Sequence, residues 1–208
     1  LICTSGNAEQ AVRWALERRP RVFFFPDQHL GGNTARRMGI SPKEIRLWDP
    51  RRPLSASEIQ AARVILWPGA CNVHQRFRPE HVHAMRAKHP GIRISVHPEC
   101  PMKVVDLADD VGSTAHIIKQ IEGAPAGTQW AVGTEQHLVQ RLARQHPEQT
   151  ILPLADVPPY CRTMGQITPQ NLAQVLAALM QGELRHQVTV DPETARWAHV
   201  ALERMLAL

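Results

Sequence analysis

Residues 64–74, with the sequence VILWPGACNVH, decide the fold that the sequence predicts. The apolar start of this stretch predicts a buried strand, which Pro68 and Gly69 end by turning the chain. A thiol, Cys71, and an imidazole, His74, therefore leave the end of a strand three positions apart. In open α/β sheets, ligands bind in the crevice outside the carboxyl ends of the strands. We therefore interpret Cys71 and His74 as candidate site residues.

A second predicted strand, residues 92–96, leads directly into His97, Glu99 and Cys100. Two strand ends that carry Cys, His and Glu side chains are hard to explain by packing alone. His74 and His97 suit zinc, but neither belongs to a paired motif such as H-E-x-x-H.

Three further residues have both a chemical and a structural interpretation. Glu99 suits the role of a general base, but an acid beside a helix N-terminus is also stabilised by the helix dipole. Ser113 and Thr114 follow Gly112 and precede a predicted helix. That position suits anion binding by hydroxyl and backbone N–H groups, and equally suits simple N-capping.

Short apolar segments alternate with helical patterns along the chain, which predicts βαβ units and parallel sheets. The predicted strands are residues 1–4, 22–25, 45–48, 64–66, 92–96, 111–114, 129–132 and 151–154. The predicted helices are residues 8–18, 33–38, 58–63, 79–88, 102–108, 115–121, 136–145, 169–180 and 192–206. Each of the last two helices opens with a proline in its first turn.

The composition excludes several classes of protein. No apolar run is long enough to cross a membrane. Basic residues are dispersed and aromatic residues make up only 5% of the chain, which argues against nucleic-acid binding. The net charge of +5 either attracts anionic substrates or forms an ordinary solvated basic surface. Four cysteines without short paired spacing do not suggest a secreted disulfide scaffold, so we expect a reducing cytoplasm.

At 208 residues, the chain is long enough for one large domain or two small ones. It begins at Leu1, within a predicted strand, and a stable domain rarely begins there. We therefore expect the chain to be the C-terminal part of a longer protein.

An internal repeat relates two parts of the chain at an offset of 108 residues (135 minus 27). The pairs related by this offset include Ser5 and Ser113, Asp27 and Glu135, and the Gln-His-Leu triplets at 28–30 and 136–138. In each part the Ser follows an apolar strand, the acid ends the next strand, and a later Cys closes the copy. We interpret this pattern as two copies of one small α/β unit, which end near Cys71 and Cys161.

The two cysteines at matching ends of the copies, Cys71 and Cys161, suggest a shared metal or cluster between the copies. A third copy upstream would add a third Cys. Three thiolates suit an iron–sulfur cluster with one open iron or a catalytic zinc, and the repeat alone does not separate these. Cys3 and Cys100 do not match the pattern, and a lone Cys is usually a small buried hydrophobe.

Seven ordered motifs resemble quinolinate synthase, and the resemblance covers essentially the whole chain. They are CTSGNA at 3–8, FPDQHLGGN at 25–33, WPGACNVH at 67–74, HPEC at 97–100, ADDVGST at 108–114, VGTEQHL at 132–138 and CRTM at 161–164. The resemblance implies condensation of iminoaspartate with dihydroxyacetone phosphate to quinolinate in NAD biosynthesis, with loss of phosphate and water. It also implies a cytoplasmic enzyme, no binding to nucleic acid or membrane, and a transient contact with L-aspartate oxidase.

The resemblance further implies repeated three-layer αβα domains with parallel sheets in a pseudo-threefold arrangement, of which about two domains are present. Residues 1–75 would form the second domain without its opening strand, residues 76–161 the third domain, and residues 162–208 a C-terminal helical segment. One Cys from each of three domains would bind a 4Fe–4S cluster that acts as a Lewis acid. The third ligand would therefore lie in the absent N-terminal domain.

Residue by residue, the resemblance assigns three kinds of role. The cluster ligands would be Cys71 and Cys161, with Cys3 and Cys100 as bystanders. The catalytic residues would be His74, His97 and Glu99. The substrate-binding residues would be Ser5, His97, Glu99, Ser113, Thr114 and Thr134.

The chain departs from the family because the first domain, with its Cys, is absent. We therefore expect the 208-residue chain alone to be inactive and poorly loaded with iron. One alternative is a non-catalytic module that binds a metal or a small anion on the same scaffold. Another is a zinc hydrolase, in which Cys71, His74 and Glu99 would share one metal.

Overall fold

The computed structural model describes all residues, 1–208, and contains two parallel sheets flanked by helices. Cys3–Pro159 and Leu208 form one compact unit, the sheet unit, which holds both sheets. Leu1–Ile2 and Tyr160–Ala207 form the other, the C-terminal unit. The α/β class and the parallel strand pairing predicted from the sequence are confirmed. None of the helices combines the length and apolarity that crossing a membrane requires.

The first sheet is covered by helices on one face only. Its parallel strands are β1 (Val22–Phe24), β2 (Ile45–Leu47) and β3 (Val64–Leu66), in the order β1-β3-β2. Helices α1 (Ala8–Leu16) and α2 (Gln28–Arg37) pack on the face that carries Phe24, Val64 and Leu66. Helix α3 (Ala56–Ala61) joins β2 to β3 and buries none of its residues.

The second sheet is covered on both faces. Its parallel strands are β4 (Arg93–Val96), β5 (Asp110–Val111), β6 (Gln129–Gly133) and β7 (Thr150–Pro153), in the order β5-β4-β6-β7. Helices α4 (Pro79–Lys88) and α5 (Met102–Val105) contribute to the core around Ile94 and Ala131. Helices α6 (Thr114–Glu122) and α7 (Gln136–Gln145) contribute to the core around Trp130 and Val132. Parallel sheets are buried on both faces in most proteins, so the first sheet is the unusual one.

The prediction for α2 was wrong at its start, because the helix begins at Gln28 and not at residue 33. The Asp27 carboxylate accepts a hydrogen bond from the Leu30 N–H at 2.7 Å and so caps the helix. Gly31 lies in the first turns of the helix. The residue there must be glycine, because a Cβ would lie 2.6 Å from the Phe24 ring. The glycine that argues against a helix is thus required for close helix–sheet packing.

The strand predicted over residues 1–4 is absent from the structure, where these residues have no regular secondary structure. A strand exists only when a neighbouring strand accepts and donates its backbone hydrogen bonds, and no strand pairs with this segment. In the C-terminal unit, the two predicted helices are confirmed as α8 (Pro169–Met180) and α9 (Pro192–Leu206), each with proline at its start.

Candidate active site

The turn after β3 presents Cys71 beside the start of α2. Asp27 accepts a hydrogen bond from the Cys71 N–H at 2.8 Å, with the carboxylate oxygen that does not cap the helix. The Gln28 N–H donates to the Gly69 carbonyl at 2.8 Å. A Cβ on Gly69 would lie 2.2 Å from the Pro26 carbonyl oxygen, so only glycine permits this approach of the two backbones. The carboxylate of Asp27 therefore fixes both the helix start and the cysteine.

The turn after β4 presents His97 and Glu99, and α2 of the first sheet holds it in place. The buried Asn33 side chain donates to the carbonyl oxygens of Pro98 at 2.8 Å and Cys100 at 2.9 Å. Both hydrogen bonds join residues that are far apart in sequence. The Asn33 amide therefore ties the Glu99 turn to the element that also supports Cys71.

Replacing Asn33 by Ala is expected to lower the free energy of unfolding by about 2–3 kcal/mol, because two buried carbonyl groups lose their donor. Chemical denaturation measures the change. Asn171→Ala is the matched control, because the Asn171 amide donates to the Gln166 carbonyl at an exposed position. Equal, small effects of the two substitutions would contradict the role assigned to Asn33.

The two turns bring a thiol, an imidazole and a carboxylate together. The ligand atoms of Cys71, His74 and Glu99 all lie within 4.8 Å of one another. His74 Nδ1 lies 2.9 Å from Glu99 Oε2, and His74 Nε2 lies 3.2 Å from the Thr134 hydroxyl. The His97 ring stacks on the His74 ring, with centroids 4.1 Å apart. We call these five residues the thiol–imidazole cluster.

The neighbours of the two histidines in the cluster shift their pKa values in opposite directions. Burial alone would lower the pKa of His74, but the hydrogen bonds and charges of Cys71 and Glu99 raise it to about 9. Burial and the adjacent charge of His74 lower the pKa of His97 to about 4. Burial opposes ionisation of Glu99 and Cys71, but hydrogen bonds with His74 outweigh it and lower the pKa of both groups. At neutral pH, His74 is therefore protonated and His97 is neutral.

The two histidine rings of the metal-free chain are expected to titrate far apart, near pH 9 for His74 and near pH 4 for His97. The ring-proton shifts in NMR spectra measure both values. The stability that His74 contributes is full below the unfolded value of about 6.5 and is lost as the pH rises through about 9. The contribution of His97 is lost as the pH falls from about 6.5 towards 4. Two titrations near 6.5 would contradict the charge states described above.

The remaining predicted substrate-binding residues lie in different surroundings. Ser113 caps α6 by accepting a hydrogen bond from the His116 N–H, and Thr114 is the first residue of that helix. Gly6 approaches Ser113, since a Cβ on Gly6 would lie 3.5 Å from the Ser113 hydroxyl. Ser5 lines a surface pocket with Arg13 and Arg37, and none of the residues of the thiol–imidazole cluster lines that pocket. Thr134, in contrast, contacts His74 directly.

Cys161 lies in the C-terminal unit, in a turn that repeats the backbone hydrogen bonds of the turn at Cys71. The Cys71 carbonyl accepts a hydrogen bond from the Gln75 N–H at 3.1 Å, and the Cys161 carbonyl accepts one from the Gly165 N–H at 2.9 Å. A 3-10 helix follows each cysteine three residues later, at His74–Arg76 and Met164–Gln166. The two cysteines therefore occupy equivalent local structures.

Three residues that support the site were not predicted as site residues from the sequence, namely Asp27, His29 and Asn33. Asp27 entered the repeat, but its bond to the Cys71 N–H was not predicted. Burial lowers the pKa of His29, and the charges of Asp27 and Glu99 oppose that change. The segment from Asp27 to Asn33 follows the end of β1, so the rule that ligands gather at strand ends was the available signal.

Comparison with known proteins decides the family. The family model described as quinolinate synthetase A protein matches residues 1–207. The chain belongs to this family.

The quinolinate synthase of Rhodopirellula baltica is 52% identical over 212 residues, which cover 100% of this chain and 54% of the relative. That of Corynebacterium glutamicum is 49% identical over 211 residues, with 100% and 54% covered. That of Acidobacterium capsulatum is 48% identical over 213 residues, with 100% and 57% covered. The chain spans about half the length of these curated relatives.

The quinolinate synthetase A family implies an iron–sulfur cluster, and the chemistry of Cys71 fits a cluster ligand. Cys71 is a free, half-buried thiol whose lowered pKa favours the thiolate that binds iron. Cys100 fits poorly, because it is fully buried and its Sγ lies 3.6 Å from the Gly133 carbonyl oxygen. Burial also raises the pKa of Cys100 and of Cys3. Among the cysteines of the sheet unit, Cys71 is therefore the best candidate for a cluster ligand.

Proposed function

We propose that this chain is part of a quinolinate synthase, which condenses iminoaspartate with dihydroxyacetone phosphate to quinolinate in the cytoplasm for NAD biosynthesis. The observation that carries the proposal is the acid–base pair of His74 and Glu99, 2.9 Å apart, beside the Cys71 thiol. A transient contact with L-aspartate oxidase, as a source of iminoaspartate, belongs to the same proposal. The relatives that cover the whole chain carry the name quinolinate synthase.

We assign proton transfer and charge stabilisation to three residues of the thiol–imidazole cluster, Glu99, His74 and His97. Glu99 is ionised at neutral pH because its pKa is lowered, so it accepts protons as the condensation and dehydration proceed. Protonated His74 holds Glu99 in place and offers positive charge to an anionic substrate. Neutral His97 accepts the Glu99 N–H at Nδ1, so its own proton lies on Nε2, where it is a hydrogen-bond donor.

We assign substrate binding to hydroxyl groups and a helix N-terminus, because both substrates are anions and these groups donate hydrogen bonds to anions. Ser113 and Thr114 open α6, where backbone N–H groups and the helix dipole favour a phosphate or carboxylate. Ser5 lines a pocket that also contains Arg13 and Arg37, which suits the same charge. We assign Thr134 to substrate binding as well, although its hydroxyl also orients His74.

Cys71 and Cys161 would hold a 4Fe–4S cluster, with the third thiolate supplied by another part of the longer protein. Bound there, the cluster supplies Lewis-acid chemistry to an oxygen or nitrogen of the substrate. The equivalent turns at the two cysteines support this assignment. The residues of this chain then orient the substrates and move protons beside that metal.

We also propose that residues 1–75 and 76–161 are two copies of one three-layer domain, in a pseudo-threefold enzyme. The helices α2 and α7 start 108 residues apart (136 minus 28), and each is capped by its acid. Strand β1 pairs with β3 as β6 pairs with β7. The cysteines, however, lie only 90 residues apart (161 minus 71). The strand pairing places Val64 opposite Val22 and Ile151 opposite Trp130, so β3 and β7 lie 87 residues apart (151 minus 64). The first copy therefore contains 21 additional residues before β3 (108 minus 87), which include β2 and α3, and 3 fewer residues between β3 and Cys71 (90 minus 87).

We further propose, from the same repeat, which elements cover the open face of the first sheet. Strand β6 pairs with β4 on the edge away from β7, while β1 has no neighbour on the corresponding edge. The face that corresponds to the one under α4 and α5 carries Phe23, which is 48% exposed. Residues upstream of Leu1 in the longer protein would supply the missing strand and its two helices.

Quinolinate formation by the full-length protein tests this function. The protein is reconstituted anaerobically with iron and sulfide and supplied with iminoaspartate and dihydroxyacetone phosphate. We expect quinolinate and about four irons per chain, and we expect the 208-residue chain alone to be inactive and poorly loaded. A loaded full-length protein that forms no quinolinate would overturn the proposal.

A further inference from the structure

Three different donor groups of one chain lie close enough to share a single metal ion. The Sγ of Cys71, the imidazole of His74 and the carboxylate of Glu99 all lie within 4.8 Å of one another. We propose that the cluster-free chain binds one Zn²⁺ ion through these three side chains. The site needs no residue from outside this chain, and it does not rest on the proposed function.

The spacing of the donors suits a tetrahedral ion after a small adjustment. Zinc bonds of roughly 2.0–2.3 Å place two donors on one tetrahedral ion about 3.3–3.6 Å apart. The His74 and Glu99 atoms are 2.9 Å apart and must separate slightly. Cys71 Sγ now lies at most 4.8 Å from the other two donor atoms, so it must approach them by no more than about 1.5 Å to reach that spacing. The turn that carries Cys71 is anchored to Asp27 through its backbone, so a bond to zinc would replace only the hydrogen bonds that the Cys71 thiol makes with His74 and Glu99.

The hydrogen bonds around the three side chains already match those that surround the ligands of a metal ion. Metal-bound histidines almost always donate their second ring N–H to an oxygen. Here Nδ1 of His74 faces Glu99, and Nε2 lies 3.2 Å from the Thr134 hydroxyl. With zinc on Nδ1, the Nε2–H would donate to Thr134, which fixes the ring orientation. The Thr134 hydroxyl is therefore the positioning group of the site.

Charge and burial also favour a divalent ion. A thiolate and a carboxylate balance the two positive charges of zinc, and neutral His74 completes three protein ligands. The His74 side chain is 10% exposed and that of Glu99 is 23% exposed, so little water competes with the ligands. Binding releases the protons held by His74 and by the Cys71 thiol into solvent. Three ligands leave a fourth position for water.

The zinc ion and a cluster would exclude each other, because both require the thiolate of Cys71. Zinc bound first should therefore block cluster assembly in the full-length protein. This competition gives the proposal a second observable besides binding. It also keeps the test separate from catalysis, since neither measurement uses substrate.

Calorimetry with Zn²⁺ tests the site on the metal-free, reduced 208-residue chain, and Co²⁺ serves as the spectroscopic probe. We expect one ion per chain and a thiolate-to-cobalt charge-transfer band. Cys71→Ser should abolish the band and weaken zinc binding at least about 100-fold, and Thr134→Val should weaken it about 10-fold. Cys3→Ser is the matched control and should change neither, because the Cys3 thiol packs against the core of the first sheet.

Three results would overturn the zinc site. They are the absence of stoichiometric binding, a cobalt band that survives Cys71→Ser, and a Glu99→Gln variant with unchanged zinc affinity. Circular dichroism of each variant confirms that the fold is intact. Failure of the zinc site leaves the proposed synthase untouched, since cluster loading and turnover are measured separately.

Discussion

Replacing Glu99 by Gln in the full-length protein is expected to lower quinolinate turnover by about 100-fold or more, the usual contribution of a positioned general base. The amide cannot exchange a proton, but it keeps the size of the side chain and its hydrogen bond to His74 at 2.9 Å. Steady-state assays of the anaerobically reconstituted variant measure the loss. The iron content should stay at the wild-type level, because Glu99 is not a proposed cluster ligand.

The Glu148→Gln variant provides the matched control for this experiment. Glu148 also forms an ion pair with a histidine, His146, at 3.3 Å, but its side chain is 46% exposed. Its removal should leave turnover unchanged. Normal activity of Glu99→Gln would reduce Glu99 to a structural partner of His74.

Replacing Cys71 by Ser in the full-length protein is expected to abolish the cluster and, with it, all measurable turnover. A serine hydroxyl stays protonated at neutral pH and is a poor ligand for iron. The pKa of Cys71, in contrast, is lowered, which favours the thiolate that binds iron. Iron and sulfide analysis with the visible spectrum measures the loss.

Cys100→Ser is the control for the cysteine experiment. Cys100 is fully buried, with its thiol directed at the Gly133 carbonyl, so its removal should leave most of the cluster in place. Retention of a full cluster by Cys71→Ser, or its loss from Cys100→Ser, would contradict the ligand assignment.

The parallel sheets could be predicted from the sequence because each strand is a short apolar run with a clear stop signal. The run that ends at Pro68 is an example, and it is observed as β3. The start of α2 could not be predicted, because Gly31 interrupts the helical sequence pattern. Glycine is required there only because the helix packs closely against Phe24 and Leu66. Local propensity therefore failed where packing between elements decides the structure.

The order of the strands shows a second limit of the sequence. A single offset of 108 residues describes the repeat as far as α2 and α7. In the proposed repeat, the segment that forms β2 and α3 has no counterpart in the second copy, and β2 lies at the edge of the first sheet beyond β3. Periodicity does not say which strand neighbours which, so the pairing of β1 with β3 required the structure.

The candidate site was predicted in its residue types but not in its contacts. Strand ends indicated Cys71, His74 and Glu99, because parallel strands gather such residues at one edge. The hydrogen bonds from Asn33 to the Glu99 turn join two different sheets, and no sequence pattern reports them. The bond between His74 and Thr134 was missed for the same reason.

Alkylation of the four cysteines, with and without the cluster, tests the central claim most directly. The full-length protein is treated with a thiol reagent before and after removal of iron, and mass spectrometry reads the label on each residue. We predict that Cys71 and Cys161 are protected only while the cluster is bound. Half-buried Cys3, whose pKa is raised, should react slowly and to the same extent in both states, and buried Cys100 in neither. Labelling of Cys71 or Cys161 in the loaded protein would contradict the account.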